Sequence, residues 1–377
     1  MRLRRACGVA AALATALLLA GCSGTATTTE RLGKKLLPPA EVDTSDGLRI
    51  DGELVADRAL YDQALDEGTV LFYSSGGKAA EDVTAARFTR ETGIAVETIR
   101  MPANRLTERL LSEHGADKLS AQVVRISEAK AIEEFLDRGL FVPYRVASYD
   151  ELATQDDVVF ADGAYYASYY TAYAFGYNSR LVDAADAPRT WDDLLDPAWR
   201  DRIGIVQVGA GGTGAALANF QLEQLDPGYL QALGAQEPRI FDTGSVQLDA
   251  LARGEIQVAT MGYNYGFAAQ LEGSPIQMVV PDEGVSGAYS FLGLTSSGQD
   301  SAAAKVFMNW SMSRAGQEFA GAQGFVPSRP GVPTAEVDGR AVPPAGDPRF
   351  RLLSPEDAEK VRSGDAASWR EAMGYLG

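Results

Sequence analysis

Tyr263, Asn264 and Tyr265 offer phenol and amide groups at consecutive positions, directly after an apolar run over 256–261. A helix-like segment and a second short apolar run over 276–280 follow them. This order of strand, polar turn, helix and strand is typical of an α/β protein, in which ligands bind just beyond the carboxyl ends of strands. The sequence therefore predicts that these three side chains bind a ligand.

A turn of serine and glycine forms a second candidate site. The strand predicted over 69–73 runs through Ser74, Ser75 and Gly76 into a helix predicted over 79–92. Such a turn aims hydroxyls and free backbone N–H groups of the first helical turn at one point, which suits an anion or a polar ligand. An ordinary capped helix after a strand explains this segment equally well.

A similar polar turn between a strand and a helix is predicted in the second half of the chain. A strand predicted over 203–208 passes through a glycine-rich turn that contains Gly212 and Thr213, and a helix is predicted over 215–225. The glycine spacing fits neither the dinucleotide-binding fingerprint nor the P-loop, so neither cofactor site is expected. The turn therefore remains a candidate for binding a polar solute.

Arg125 and Ser127 lie at the carboxyl end of a third predicted strand, 122–126, and should face the same crevice. His114 is the only histidine, and its place at the end of a predicted helix indicates a solvated residue. A Ser-His-Asp triad is therefore not expected, and a site with several histidine ligands is excluded.

A tyrosine-rich stretch over 162–182 predicts one long strand. In extended form Tyr169, Thr171 and Tyr173 share one face, and Tyr170 and Ala172 share the other. Such a strand could belong to the core, or it could be the crossover that passes into a second domain and lines the cleft. Because the α/β rhythm restarts after this stretch, we interpret it as the crossover, with most of its tyrosines as packing residues.

Length and composition suit two α/β domains. The chain has 377 residues, 46% of them hydrophobic, and 39 glycines. The formal charge of −17 argues against nucleic acid as a partner, although a solvated acidic surface accounts for much of it.

The first 22 residues have the pattern of an export signal, with a basic start, an apolar core and the ending Leu-Ala-Gly-Cys. This ending resembles the bacterial lipobox, in which Cys22 is lipidated and becomes the first residue of the mature protein. Because Cys7 lies in the removed segment, the mature fold has no thiol for a disulfide or a cysteine site. Residues 23–52, rich in Ser, Thr, Gly and Pro, are interpreted as a flexible tether.

Five segments in order resemble the bacterial extracellular solute-binding proteins of ABC importers, and in particular the branch that binds ferric iron, phosphonates, polyamines and thiamine. They are GTVLFYSS, FTRETGIAVE, TWDDLLDPAWRDRIGI, GEIQVATMGY and KVFMNWSMSRAGQEFAGAQGFVPSRPGV. The resemblance implies a type II periplasmic-binding-protein fold of class α/β, with two lobes, crossover strands as a hinge and a ligand in the cleft. The domains then follow as lobe 1 (53–168 and 288–332), lobe 2 (169–287) and a C-terminal tail (333–377).

The resemblance also implies that the protein is a monomer that binds a small-molecule or metal ligand and works with an ABC permease and ATPase. Together with the lipobox, it places the protein on the outer face of the cytoplasmic membrane or in the periplasm, held by a lipid anchor. No resident cofactor is expected.

Ferric iron is the first candidate ligand, because two tyrosines of the second lobe ligate Fe(III) in the iron-binding members, and Tyr263 and Tyr265 occupy the corresponding place. Phenolate is a hard oxygen donor for a hard, highly charged ion. In an extended segment both phenols point the same way, whereas in a first helical turn they diverge by about 200°. The first-lobe histidine of the family is replaced by Ser74, Ser75 and Gly76, so iron would need an anion held by Ser75 or Thr213.

An organic or phosphorus oxyanion is the chief alternative within the class, and thiamine or a polyamine is a weaker one. An enzyme on the same two-lobed fold is the alternative from another class, but we find no nucleophile with a general-base pair and no cofactor loop. The residues that would hold an oxyanion are Ser74, Ser75, Gly212, Thr213 and the charge of Lys78 or Arg125, with Tyr263 and Tyr265 as walls.

Overall fold

The computed structural model describes residues 37–210, 212–353 and 355–376, with the backbone alone described at 210, 212, 213 and 355–363. The export signal with Cys22 and the first part of the tether lie outside these residues. Within the described part, no helix is both long and apolar enough to cross a membrane.

The described chain begins with three short antiparallel strands, in part of the segment expected to be a tether. Leu48 and Ile50 of the second strand are fully buried against lobe 1. The first helix begins at Arg58, because Asp57 caps it by accepting the N–H of Leu60, 2.8 Å away. The strands are β1 (Val42–Asp43), β2 (Leu48–Ile50) and β3 (Glu53–Ala56).

Lobe 1 continues as alternating helices and strands, close to the predicted limits. The first two helices end at Gly68 and Gly93, whose φ angles of 72° and 77° allow the left-handed turn back into a strand. The elements are α1 (Arg58–Glu67), β4 (Thr69–Ser74), α2 (Lys78–Thr92), β5 (Ala95–Arg100), α3 (Ala103–Gly115), β6 (Val123–Ile126), α4 (Ala129–Asp137) and α5 (Tyr149–Leu152).

A long strand, β8 (Tyr165–Asn178), leads out of lobe 1 after the short β7 (Val159–Phe160). It carries the chain into lobe 2, which confirms the predicted crossover. The elements of lobe 2 are β9 (Ile203–Val206), α6 (Gly212–Glu223), α7 (Tyr229–Gly234), β10 (Arg239–Phe241), α8 (Gly244–Arg253), β11 (Val258–Gly262), α9 (Tyr263–Leu271) and β12 (Ile276–Val279).

The return strand β13 (Val285–Leu294) leads back to lobe 1, where two consecutive helices are separated at Ser313. Ser313 is extended, with φ −71° and ψ 164°, and its hydroxyl caps the second helix by accepting the N–H of Gly316. The two helices are α10 (Ala302–Met312) and α11 (Arg314–Ala322), and β14 (Val326–Pro327) follows.

The C-terminal segment, expected to be an extended and partly helical tail, contains a helix and packs on the fold. Strand β17 (Phe350–Leu352) pairs in parallel with β13, and the long helix α12 (Pro355–Met373) packs on α6 and α7 of lobe 2. A two-stranded ribbon, β15 (Glu336–Val337) and β16 (Arg340–Ala341), precedes them.

One sheet runs through both lobes, in the strand order β10-β9-β11-β8-β13-β6-β4-β5. The two crossover strands lie side by side at its centre and pair antiparallel, from Ser286 opposite Tyr173 to Gly293 opposite Tyr165. Separate aromatic cores cover the two ends, around Phe88, Phe307 and Trp310 in lobe 1 and around Trp191 in lobe 2. The predicted α/β fold with two lobes joined by crossover strands is thereby confirmed.

A buried ion pair joins α2 to the sheet in lobe 1. The guanidinium of Arg125 donates to Glu81 at 2.6 Å, and the two side chains are 3% and 1% exposed. Ser74 completes the group, because its hydroxyl also donates to Glu81, at 2.6 Å. Burial alone would lower the pKa of Arg125, but the neighbouring carboxylate raises it above its ordinary value.

Replacing Glu81 by Gln keeps the size of the side chain and removes the counter-charge of Arg125. A buried charge without its partner is costly, so we expect the free energy of unfolding to fall by about 3 kcal/mol or more. Urea unfolding followed by tryptophan fluorescence measures the change.

Glu108→Gln is the matched control, because it breaks an ion pair with Arg105 whose side chains are 64% and 70% exposed. Exposed pairs contribute little, so this variant should lose about 0.5 kcal/mol or less. A loss at Glu81 no greater than the loss at Glu108 would show that the buried pair does not hold α2 to the sheet.

Candidate ligand site

A cleft of about 360 Å³ lies between the two lobes, over the crossover strands. Its floor is formed by one face of β8, at Tyr169, Thr171 and Tyr173, while Tyr170 and Ala172 on the other face belong to the central core. The sequence predicted this alternation and a crossover strand that lines the cleft, but it did not indicate which face of the strand does so.

Lobe 1 contributes the turn between β4 and α2. Ser75, Gly76 and Gly77 line the cleft, and Ser127 joins them because its N–H donates to the hydroxyl of Ser75 at 3.2 Å. Gly77 is the N-cap of α2 and has no side chain to occupy the first helical turn. The predicted polar turn therefore lies at the cleft, together with Ser127.

Two predicted residues of lobe 1 lie beneath the turn. Ser74 is fully buried, and its hydroxyl accepts the N–H of Gly76 at 2.9 Å. Arg125 is committed to Glu81, and its guanidinium lies 4.9 Å from the ring centre of Tyr169. Both residues support the wall and the floor of the cleft from behind, whereas Arg125 was expected to face the crevice.

The phenols of Tyr263 and Tyr265 point in different directions, because α9 begins at Tyr263 and two residues on a helix differ by about 200°. Tyr263 is fully buried, and its ring stacks on Phe267 at 5.5 Å. Tyr265 is 38% exposed and lines the cleft, as does Asn264. Of the two predicted metal ligands, one faces the cleft and the other lies in the core.

Burial raises the pKa of both phenols, and for Tyr265 the positive charge of Arg100 acts in the opposite direction. Tyr265 also reaches across to lobe 1, since its ring and hydroxyl lie against Gly77. A Cβ on Gly77 would come within 3.2 Å of that hydroxyl, so this glycine leaves room for the contact between the lobes.

The glycine-rich turn of lobe 2 also lies at the cleft. Helix α6 begins at Gly212, and Gly214 in its first turn lines the site. The side chain of Thr213 lies outside the described atoms, so its expected hydroxyl contact remains a prediction.

Several residues of the cleft were not singled out in the sequence. Arg100 is the last residue of β5 and Asp242 directly follows β10, so the strand-end rule that pointed to Arg125 would have found them. Trp369, on α12, has no such signal. The further side chains are Gln207, Gln221, Thr243, Ser245, Gln247, Thr260, Ser290 and Phe325.

Donors to an anion come from one charged side chain, Arg100, and from the starts of four helices. Arg100 is a guanidinium at the mouth, and its Nε donates to the carbonyl of Gly76 at 2.9 Å, which fixes it beside the turn. The starts of α2, α6, α8 and α9 line the same space. In the described residues, no three or more His, Cys, Asp or Glu side chains cluster in a way that would hold a metal ion.

Known proteins resemble the chain in sequence and fold. An uncharacterised protein of Haemophilus influenzae is 25% identical over 283 residues, covering 72% of this chain and 80% of the relative. Iron-bound HitA from Pseudomonas aeruginosa superimposes with a TM-score of 0.61 at 21% identity, over 81% of this chain and 99% of HitA. The periplasmic binding protein AfuA from Actinobacillus pleuropneumoniae, with fructose-6-phosphate bound, superimposes with a TM-score of 0.62 at 20% identity, over 82% and 100%.

A family of bacterial extracellular solute-binding proteins matches residues 83–342, which include the crossover strands β8 and β13 and the cleft-lining helix starts of lobe 2. The match covers more than half of the chain, and it agrees with the resemblance found in the sequence. The chain therefore belongs to the bacterial extracellular solute-binding protein family.

Proposed function

We propose that this binding protein captures a small organic solute that carries an oxyanion, such as a phosphate ester or a phosphonate, and delivers it to the permease of an ABC importer. The observation that carries the proposal is the convergence of several helix starts and the Arg100 guanidinium on one cleft. Backbone N–H groups at helix starts and a guanidinium are the donors that proteins use for phosphate-like groups.

Besides its helix starts, lobe 2 offers one charged acceptor. Asp242 lines the cleft on that lobe, and a carboxylate accepts hydrogen bonds from hydroxyl or ammonium groups. A solute with an oxyanion at lobe 1 and hydroxyls at lobe 2 would use both sides. AfuA, which shares the fold, binds a sugar phosphate, and this supports a phosphate ester as the solute here.

Ferric iron, bare or as a chelate, is the second candidate. Tyr265 presents a phenol to the cleft, and Tyr169 and Tyr173 line its floor. Phenolate oxygens suit Fe(III), and an anion held at the start of α2 would complete the set of ligands. HitA, which shares the fold, was solved with iron bound. Thiamine and polyamines remain weaker alternatives, because no acidic cluster faces the cleft among the described residues.

Delivery of the solute requires transport proteins that receive it and a binding protein held close to them. We propose that the protein acts as a monomer without turnover, that a permease and an ATPase receive the solute, and that lipidated Cys22 holds the protein at the outer face of the cytoplasmic membrane or in the periplasm. The membership of the chain in an extracellular family supports this location.

Arg100→Gln should weaken the binding of phosphate esters and phosphonates by roughly tenfold or more, because it removes the charge that faces the oxyanion. Isothermal titration of the mature protein with a sugar phosphate measures the change, and a panel with spermidine and thiamine tests the alternatives. Arg105→Gln, an exposed arginine on α3, is the control and should bind as the wild type does. Equal affinity in the Arg100 variant would contradict the proposed role of Arg100.

Titration with ferric citrate distinguishes the second candidate from the first. Phenolate bound to Fe(III) absorbs visible light, so an iron-binding site would colour the protein. Because Tyr265 lines the cleft and Tyr263 lies in the core, Tyr265→Phe should remove the colour, and Tyr263→Phe should retain it. A colourless wild type would exclude direct phenolate ligation of iron and leave the oxyanion proposal intact.

Cys22→Ala should release the protein from the membrane, because this cysteine would carry the lipid. Membrane and soluble fractions of cells that express each form can be compared by immunoblot, and mass spectrometry can detect the acylated N-terminal cysteine of the wild type. Cys7→Ala, within the segment expected to be removed, is the control. A wild-type protein found entirely in the soluble fraction would overturn the anchor.

A further inference from the structure

The cleft continues into lobe 2 beyond its polar part. Four apolar side chains line this end of the same space: Ile205 from β9, Leu217 from α6, Leu233 from α7 and Trp369 from α12. We call this end the apolar recess. It differs from the region around Arg100, which offers mainly charged and backbone donors.

The C-terminal helix forms one wall of the recess. Trp369 is 4% exposed and belongs to the core of lobe 2, where its ring lies 6.0 Å from that of Tyr375. Asn219 on α6 donates to Asp365 at 3.0 Å and joins the two helices. Gly234 at the end of α7 packs so closely on Ala372 that a Cβ there would collide with its carbonyl oxygen. The wall is therefore a fixed part of lobe 2.

Helix α12 contacts both lobes. Besides α6 and α7, it touches α4 of lobe 1. It also lies beyond residue 342, where the match to the solute-binding family ends. The recess is thus completed by a segment that lies outside the part of the chain matched by the family.

Buried amide oxygens line the same half of the cleft without a hydrogen-bond partner among the described atoms. Gln221 on α6 is 2% exposed, and its Oε1 has no partner. The orientation of Gln247 is set by its Nε2, which donates to the carbonyls of Gly204 and Thr260 at 2.9 Å, and its Oε1 also has no partner. An acceptor buried in this way is costly unless a donor reaches it.

We propose that the apolar recess is a second subsite of the ligand cleft, which binds an apolar or aromatic group of the solute that bears a hydrogen-bond donor, with Trp369 as the residue that determines this specificity. The apolar walls would cover such a group, and the amide oxygen of Gln221 would accept from its donor. This second subsite depends on the proposed function only in that the same solute is expected to carry an oxyanion at its other end.

Three probes separate the two ends of the site. Inorganic phosphate tests the oxyanion end alone, benzyl alcohol tests an aromatic group with one O–H donor, and benzylphosphonate combines the two groups. We expect benzylphosphonate to bind the wild-type protein roughly tenfold or more tightly than phosphate, and Trp369→Ala to reduce this ratio to about one. Isothermal titration measures the affinities.

Met373→Ala is the matched control, because Met373 packs on the same core from the same helix and does not line the cleft. It should lower thermal stability as Trp369→Ala does and keep the wild-type ratio. If both variants lose the ratio equally, Trp369 acts only by holding α12 in place, and its assignment as a specificity residue is overturned.

Tryptophan fluorescence gives a second measurement that needs no oxyanion. Trp369 lines the cleft, whereas Trp191, Trp199 and Trp310 pack in the cores of the lobes. Benzyl alcohol should change the emission of the wild type in a saturable manner, and Trp369→Phe should abolish that change. Trp199→Phe is the control and should retain it.

The outcomes distinguish the recess from the oxyanion site. If benzyl alcohol binds while phosphate and benzylphosphonate do not, the recess stands and the proposed oxyanion function fails. If phosphate and benzylphosphonate bind equally, or if neither aromatic probe binds, the recess proposal is overturned.

Discussion

The antiparallel ladder between β8 and β13 is the interaction on which the rest of the structure depends. These two strands lie next to each other at the centre of the sheet, and within the sheet the strands of one lobe are joined to those of the other through them. Strand β11 of lobe 2 is added to β8, and strand β6 of lobe 1 is added to β13. The lobes are therefore joined by backbone hydrogen bonds, and closure can occur by a change of twist in two strands rather than by sliding of a packed interface.

The ladder also determines what the ligand meets at the floor of the cleft. Side chains alternate along a strand, so one face of β8 supplies Tyr169, Thr171 and Tyr173 to the cleft, and the other face must be apolar enough for the central core. A shift of register by one residue would exchange these faces. The stacking of Phe325 on Tyr169, with ring centres 4.0 Å apart, and the buried Arg125 beside that tyrosine hold the floor in place.

The elements of the fold could be predicted where short sequence patterns specify them. The site could not be predicted where the direction of a side chain depends on the residue at which a helix begins, or on a contact with a distant part of the chain. Strands such as β4 and helices such as α2 could be predicted from short apolar runs and from the glycines at which the helices end. Tyr263 and Tyr265 show the limit of prediction from sequence, because the residues after Gly262 suit either an extended turn or the first turn of a helix. In the structure α9 begins at Tyr263, and this places the ring of Tyr263 in the core. Trp369 was not predictable either, because its place depends on packing against helices more than a hundred residues away.

The acidic character of the chain and its proposed anionic ligand are compatible because they act over different distances. A net charge of −17 lowers the concentration of anions near the surface, but salt screens that effect beyond roughly 8 Å at physiological ionic strength. Arg100 and the helix starts act at contact, inside a cleft where the dielectric constant is lower and each hydrogen bond is stronger. The overall charge would therefore affect mainly the rate at which the proposed anion arrives, whereas Arg100 and the groups at the turn of α2 would determine how tightly it is held.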